Sequence, residues 1–177
     1  MKEFMTIKIK KIESFYLVTK IKEHKKIKNK LLSLIDKIPT NSYENISNTD
    51  WKLPKDYKRE YLDLFYKIIS PYMNKMQDLL QEKSWEIQNG WFQQYYKNDF
   101  HQWHRHARAN FSNVFYLELP HKSMTTSIRP VLNSKKTYKI RAQEGDLITF
   151  PASMAHTSEK TNSKLRKTVI AFNSDFT

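Results

Sequence analysis

Three of the six histidines fall within the six residues His101-Gln-Trp-His-Arg-His106. Side chains alternate across an extended strand, so His104 and His106 share one face while His101, Trp103 and Arg105 take the other. Two imidazoles so placed are a ready pair of metal ligands. The stretch Gly145-Asp-Leu-Ile-Thr-Phe-Pro151 leads to His156, a third imidazole, and Arg166 stands ten residues beyond it at the head of another β-like run. Neutral imidazoles that converge from different strands suit iron, zinc, copper or nickel. Each histidine alone would be read as an ordinary surface residue of an aromatic-rich sheet. The joint spacing, with a Gly-Asp turn and an arginine, favours a site. With no cysteine in the chain, any metal must use histidine, carboxylate or main-chain oxygen.

The elements that must position these residues change character near residue 82. Before it, residues 6–10 and 14–19 read as strands. Ile27, Leu31, Leu34, Ile35 and Ile38 recur at helical spacing, and Pro39 closes the run. Residues 40–55, polar and ending near Pro54, read as a loop. A second helical stretch from about residue 56 carries Leu64, Phe65, Ile68, Ile69, Tyr72, Met73, Met76, Leu79 and Leu80 on one side, a stripe that reads as core. Ser70-Pro71 either kinks it or caps a separate helix. After residue 82 the period becomes two. Residues 84–88 and 91–96 flank Asn89-Gly90, a dipeptide favoured in tight hairpins. Further strands are expected near 101–106, 110–119, 124–132, 136–141, 146–150, 154–158 and 166–173. So many short strands predict a sandwich or jelly roll with the helices packed on one outer face.

A chain of 177 residues is one ordinary domain, divided here into strands and buttressing helices over 1–82 and a β core over 83–177. No apolar run approaches the roughly 20 residues of a membrane span. Met1 to Lys11 lacks the apolar core of a signal peptide, so a cytoplasmic location is expected. The formal net charge of +13 raises a nucleic-acid partner as one reading. Residues 1–40 hold eleven lysines against four acids, mostly isolated between Ile and Leu, which reads as a solvated face.

The order His104-Arg-His106, Asn113-Val-Phe-Tyr116-Leu, Gly145 through His156, and Arg166-Lys-Thr168-Val-Ile-Ala-Phe-Asn173 resembles the iron(II)/2-oxoglutarate oxygenase superfamily. Its small bacterial and phage members, prolyl-hydroxylase-like, are the nearest in pattern. The resemblance spans about residues 85–173 and implies a double-stranded β-helix, mainly β with N-terminal helices. It implies iron(II) held by His104 and the distal His156, and 2-oxoglutarate as cosubstrate. Arg166 would pair with the far carboxylate of 2-oxoglutarate, Thr168 on the same face would add a hydrogen bond, and Tyr116 would touch that carboxylate. No catalytic residue beyond the metal ligands is implied. The chain departs from the superfamily at His106, where a carboxylate is usual; a dianionic cosubstrate can supply the missing charge. Glu118 shares parity with Tyr116 but stands two residues further along its strand. Cupins also use His-x-His and a later Gly-x5-Pro…His, as at Gly145, Pro151 and His156, but residues 107–113 lack their glutamate. The expected activity is hydroxylation or other oxidation of a small-molecule, amino-acid or peptidyl substrate. A cupin-type metalloprotein that does not use 2-oxoglutarate, or a nucleic-acid base demethylase, are the alternatives.

Overall fold

In the computed structural model, residues 14–131, 133, 135–160 and 162–177 are described; the expected strand at 6–10 lies outside them. Among the described residues, eleven strands and two α-helices follow in the order β1 (Leu17–Lys20), α1 (His24–Ile35), β2 (Asn41–Tyr43), β3 (Ile46–Thr49), α2 (Glu60–Leu80), β4 (Trp85–Tyr95), β5 (His101–His104), β6 (Phe111–Glu118), β7 (Thr126–Arg129), β8 (Tyr138–Lys139), β9 (Asp146–Pro151), β10 (Ala155–Ser158) and β11 (Lys167–Phe176). They form a jelly roll. A seven-stranded antiparallel sheet runs β1-β9-β6-β11-β4-β3-β2, and a four-stranded sheet runs β5-β10-β7-β8.

Two apolar layers result. On the outer face of the large sheet, Leu31 and Ile35 of α1 and Phe65, Ile69, Met73 and Met76 of α2 bury against Phe92, Phe115, Leu147, Ile170 and Phe172. Between the sheets, Tyr95, Tyr116, Ile128, Ile148, Phe150 and Val169 fill the interior. β11, at the centre of the large sheet, contributes alternate residues to both layers: Ile170 and Phe172 face the helices and Val169 faces the interior.

Pro71 sits inside one continuous helix. An interior proline costs about 3 kcal/mol, but the buried stripe from Phe65 to Met76 continues across it, and each such side chain contributes about 1.5–3 kcal/mol. Burial therefore wins. The Asn89-Gly90 hairpin is absent, because β4 runs unbroken through both residues. A Cβ on Gly90 would stand 2.0 Å from the Tyr66 hydroxyl, so close helix–sheet packing, and not a turn, calls for glycine here. The expected loop at 40–55 contains a hairpin, β2–β3, whose polar sequence hides it.

β3 ends at a buried hub. Asp50, fully buried, accepts hydrogen bonds from Arg59 Nε (2.8 Å), the Tyr61 hydroxyl (2.7 Å) and the Phe92 N–H (2.9 Å). The same Arg59 donates to the carbonyls of Asp50, Leu53, Pro54 and Tyr57. One guanidinium thus ties the 50–59 loop to both the sheet and the start of α2.

Candidate metal centre

β5 and β10 lie side by side in the small sheet, and their register sets His104 directly against His156. The chain after β5 carries His106 back toward them, held by its N–H to the Ala152 carbonyl (3.1 Å). The outcome is a cluster of His104, His106 and His156, whose candidate ligand atoms all lie within 4.8 Å of one another. Ring centroids are 4.1 Å apart for His104 and His156, and 5.2 Å for His106 to each of the others.

Burial pushes all three imidazoles below their ordinary range, His106 to about 4 and His156 well down, with neighbouring imidazoles adding to the effect on these two. They are neutral near pH 7, the form that binds metal. Nδ1 of His104 faces the Gln102 carbonyl at 2.8 Å and Nδ1 of His156 faces the Met154 carbonyl at 3.1 Å. A proton on each Nδ1 leaves Nε2 with its lone pair, the usual second support of a metal-binding histidine. The Asn173 amide lies 3.4 Å from His106 Nδ1 and donates to Asn89 Oδ1 at 3.0 Å. The donor set therefore fits a divalent first-row metal such as iron(II), with no protein carboxylate in it.

His101 does not take the opposite face from His104. It stacks on His104 at 3.9 Å between centroids, and burial above all lowers it to about 3. The cause is an irregularity in β5: His104 pairs with His156 and His101 with Ser158, so the four residues 101–104 stand against the three residues 156–158 and simple alternation fails.

Inward from the imidazoles is a narrow cavity of about 30 Å³, bordered by Gln93, Tyr95, Thr126, Ser158 and Lys167 among others. Lys167 is the cation there. It is 2% exposed, donates to Ser158 Oγ at 2.8 Å, and lies 4.7 Å above the Tyr95 ring and 5.8 Å from the Tyr116 ring centre. Burial lowers its ammonium to about 7. Tyr116 sits in the same interior, fully buried; its hydroxyl donates to Thr126 Oγ1 (2.9 Å) and accepts from the Thr126 N–H (2.8 Å), and burial pushes it up to about 12.

Arg166 and Thr168 lie on the other face. Arg166 makes a two-pronged pair with Glu118 (2.7 and 3.2 Å) and reaches Asp36 at the end of α1 (3.5 Å), while the Thr168 hydroxyl donates to the same Glu118. The expectation that Arg166 and Thr168 meet the far carboxylate of 2-oxoglutarate is therefore not matched by where they lie. Even-numbered residues at this end of β11 point toward the helices and odd-numbered ones into the jelly roll, so Lys167 takes the inward place. Glu118 is likewise engaged by Arg166 and is remote from the imidazole cluster.

Residues 89–173, the stretch that holds all three clustered histidines and Lys167, match the family described as "Putative 2OG-Fe(II) oxygenase". That stretch, just under half of the chain, is identified as a match to the 2OG-Fe(II) oxygenases. Its metal and cosubstrate are accordingly iron(II) and 2-oxoglutarate. Solved structures agree in fold. A 2OG-Fe(II) oxygenase-family oxidoreductase from Burkholderia pseudomallei superposes with a TM-score of 0.71 at 11% identity, over 90% of this chain and 83% of that one. A prolyl hydroxylase in complex with a hypoxia-inducible-factor oxygen degradation domain peptide, from Trichoplax adhaerens, gives 0.64 at 12% identity over 89% and 82%. HygX from Streptomyces hygroscopicus, with nickel and 2-oxoglutarate bound, gives 0.63 at 10% identity over 91% and 82%. No curated protein matches the oxygenase in sequence. Among the described residues no helix is long and apolar enough to cross a membrane.

Proposed function

We propose that this oxygenase holds iron(II) through His104, His106 and His156 and oxidises an amino-acid or peptidyl side chain, most simply by hydroxylation. The observation that carries the reading is the pairing of three neutral imidazoles with one buried cation, Lys167, that forms no ion pair among the described residues, in the same interior. Bound iron(II) and 2-oxoglutarate would activate dioxygen, which supplies the oxidising power, with 2-oxoglutarate giving up two electrons as it is decarboxylated to succinate and carbon dioxide. The protein's residues supply position and exclusion of water.

Lys167, in the place first assigned to Arg166, is the partner of the far carboxylate of 2-oxoglutarate. A buried ammonium with no carboxylate in direct contact gains most from an anionic ligand, whereas Arg166 already has two. Tyr116 and Thr126 border the same carboxylate site, the tyrosine holding the threonine hydroxyl in place. Ser158 accepts a hydrogen bond from the Lys167 ammonium until the ligand arrives. Thr168 keeps Glu118 in place on the far side of the sheet and serves stability. The peptidyl reading draws on the likeness to a prolyl hydroxylase that carries a peptide.

The test is anaerobic addition of 2-oxoglutarate to Fe(II)-loaded protein, watching for the visible metal-to-ligand charge-transfer band. The band is expected in the wild type and in Arg166→Ala, and is expected to be lost in His106→Ala. Its absence from folded, metal-loaded wild-type protein at saturating 2-oxoglutarate would sink this reading in favour of a cupin-type metalloprotein.

A further inference from the structure

Across its eleven residues β4 pairs with β11, but β3 covers its other edge only at Gln93 and Gln94. Beyond those two residues that edge has no strand partner among the described residues. The end of β3 shows which backbone groups face it. The Phe92 N–H donates to Asp50 Oδ1 and the Phe92 carbonyl accepts from Thr49 Oγ1 at 2.7 Å, so two side chains stand in for the missing strand at Phe92. In an antiparallel strand the N–H and C=O of one residue point the same way, and every second residue shares that side. Gly90 therefore presents its N–H and C=O to the same edge, one step past the point where β3 and its caps stop.

That edge opens onto a cavity of about 600 Å³ bordered by all five residues 87–91. Strand side chains alternate between faces, so a space that touches five in succession is looking at the strand's edge. Its far wall is the 51–59 loop, with Trp51, Lys55, Tyr57 and Lys58. Trp51 and Trp91, edge to face at 4.4 Å, also border a cleft of about 290 Å³ in front of His104 and His106. Trp51 and Trp91 border both cavities, and so place the open edge of β4 and the imidazoles along one groove-like face.

We propose that an extended acidic peptide docks in this groove as an added strand in line with β3, hydrogen-bonded to the Gly90 backbone, and passes its next residues by Trp51 and Trp91 to the metal centre. An open edge is matched by another peptide backbone, which alone repeats donor and acceptor at strand spacing. The wall supplies the charge preference. Arg59 is committed to Asp50, Lys58 shares only a loose, exposed pair with Glu60 at 3.7 Å, and Lys55 has no acidic partner among the described ion pairs. Asp63 and Glu44 are the acids bordering the two cavities, against Lys55, Lys58, Arg59 and Arg105, and the net charge of +13 draws acidic chains over longer range. That the delivered residue is the substrate rests on the oxygenase reading; the docking itself rests on the edge and the groove.

The test is selection from a phage-displayed library of random dodecapeptides on the wild-type protein, in parallel with Lys55→Glu/Lys58→Glu. Enrichment of acidic sequences on the wild type is expected. The best peptide, synthesised, should bind the double variant about ten-fold more weakly and lose a similar factor when N-methylated at alternate residues. It should also slow hydrogen exchange at the Gly90 amide. Failure to enrich any peptide, or binding that leaves Gly90 exchange unchanged, overturns the proposal. So does tighter binding of a twelve-residue oligothymidylate than of every peptide, which would make the basic wall a nucleic-acid contact. Iron(II)-dependent binding of 2-oxoglutarate to the double variant is expected to match the wild type. Its absence from both proteins would refute the cosubstrate reading and leave the peptide result standing.

Discussion

Replacing Lys167 with methionine should make the metal-free protein more stable while abolishing its affinity for 2-oxoglutarate. The ammonium is buried, with one hydroxyl partner and aromatic faces beneath it, and burial brings it down from the ordinary 10.5 to about 7. Its folded-state value lies below its unfolded one, so between pH 7 and 10.5 the unfolded chain binds more protons and wild-type stability rises with pH. A displacement of this size costs the fold on the order of 4 kcal/mol at pH 7 and about 1 kcal/mol at pH 10. Loss of the Ser158 hydrogen bond and the contact with Tyr95 returns about 1 kcal/mol. Urea unfolding should therefore find Lys167→Met more stable by about 3 kcal/mol at pH 7, the difference vanishing near pH 10. Tyrosines that titrate at high pH cancel between the two proteins. The wild type's 2-oxoglutarate affinity, read from tryptophan fluorescence, should weaken about ten-fold per pH unit above 7 as the ammonium is lost. A pH-independent stability difference, or wild-type 2-oxoglutarate affinity in Lys167→Met, would refute the reasoning.

Arg166→Ala gives the complementary result: 2-oxoglutarate affinity unchanged in the same titration, and stability lower by about 2 kcal/mol, because a two-pronged, half-buried pair with Glu118 is broken. Gly90→Ala should destabilise by about 1–3 kcal/mol by overpacking against the Tyr66 hydroxyl. Since that hydroxyl is buried without a partner, Tyr66→Phe should be tolerated alone and should recover most of the loss in the double variant. Equal losses in the single Gly90→Ala and the double variant, by urea unfolding, would contradict the contact.

What was legible in the sequence follows from contrast between faces. α1 and α2 have one wet and one dry side, and their periods are plain. Gly145 marks the start of β9 and Pro151 its end, and the short return after Pro151 brings His156 into β10. β11 gives no such contrast. Both faces are buried, so Lys167, Val169 and Ala171 look no more inward than Thr168, Ile170 and Phe172. Nothing in the alternation favours Lys167 over Arg166, and arginine is the better carboxylate fork. In β5 the phase was right for His104, but a bulge of one residue reversed it for His101. No feature of His-Gln-Trp-His announces that bulge. Gly90 was read for a positive φ when its reason lies in Tyr66, 24 positions away in the chain.

The Asp50 hub bears on how the groove wall can move. One carboxylate joins the end of β3, the middle of β4 and the start of α2, and its guanidinium partner holds the carbonyls of the intervening loop. Opening that loop would strand a buried charge, which costs several kcal/mol. The wall should therefore not fray by itself. It should open only together with the β2–β3 hairpin and the first turn of α2, as one cooperative unit whose amides exchange at a common rate.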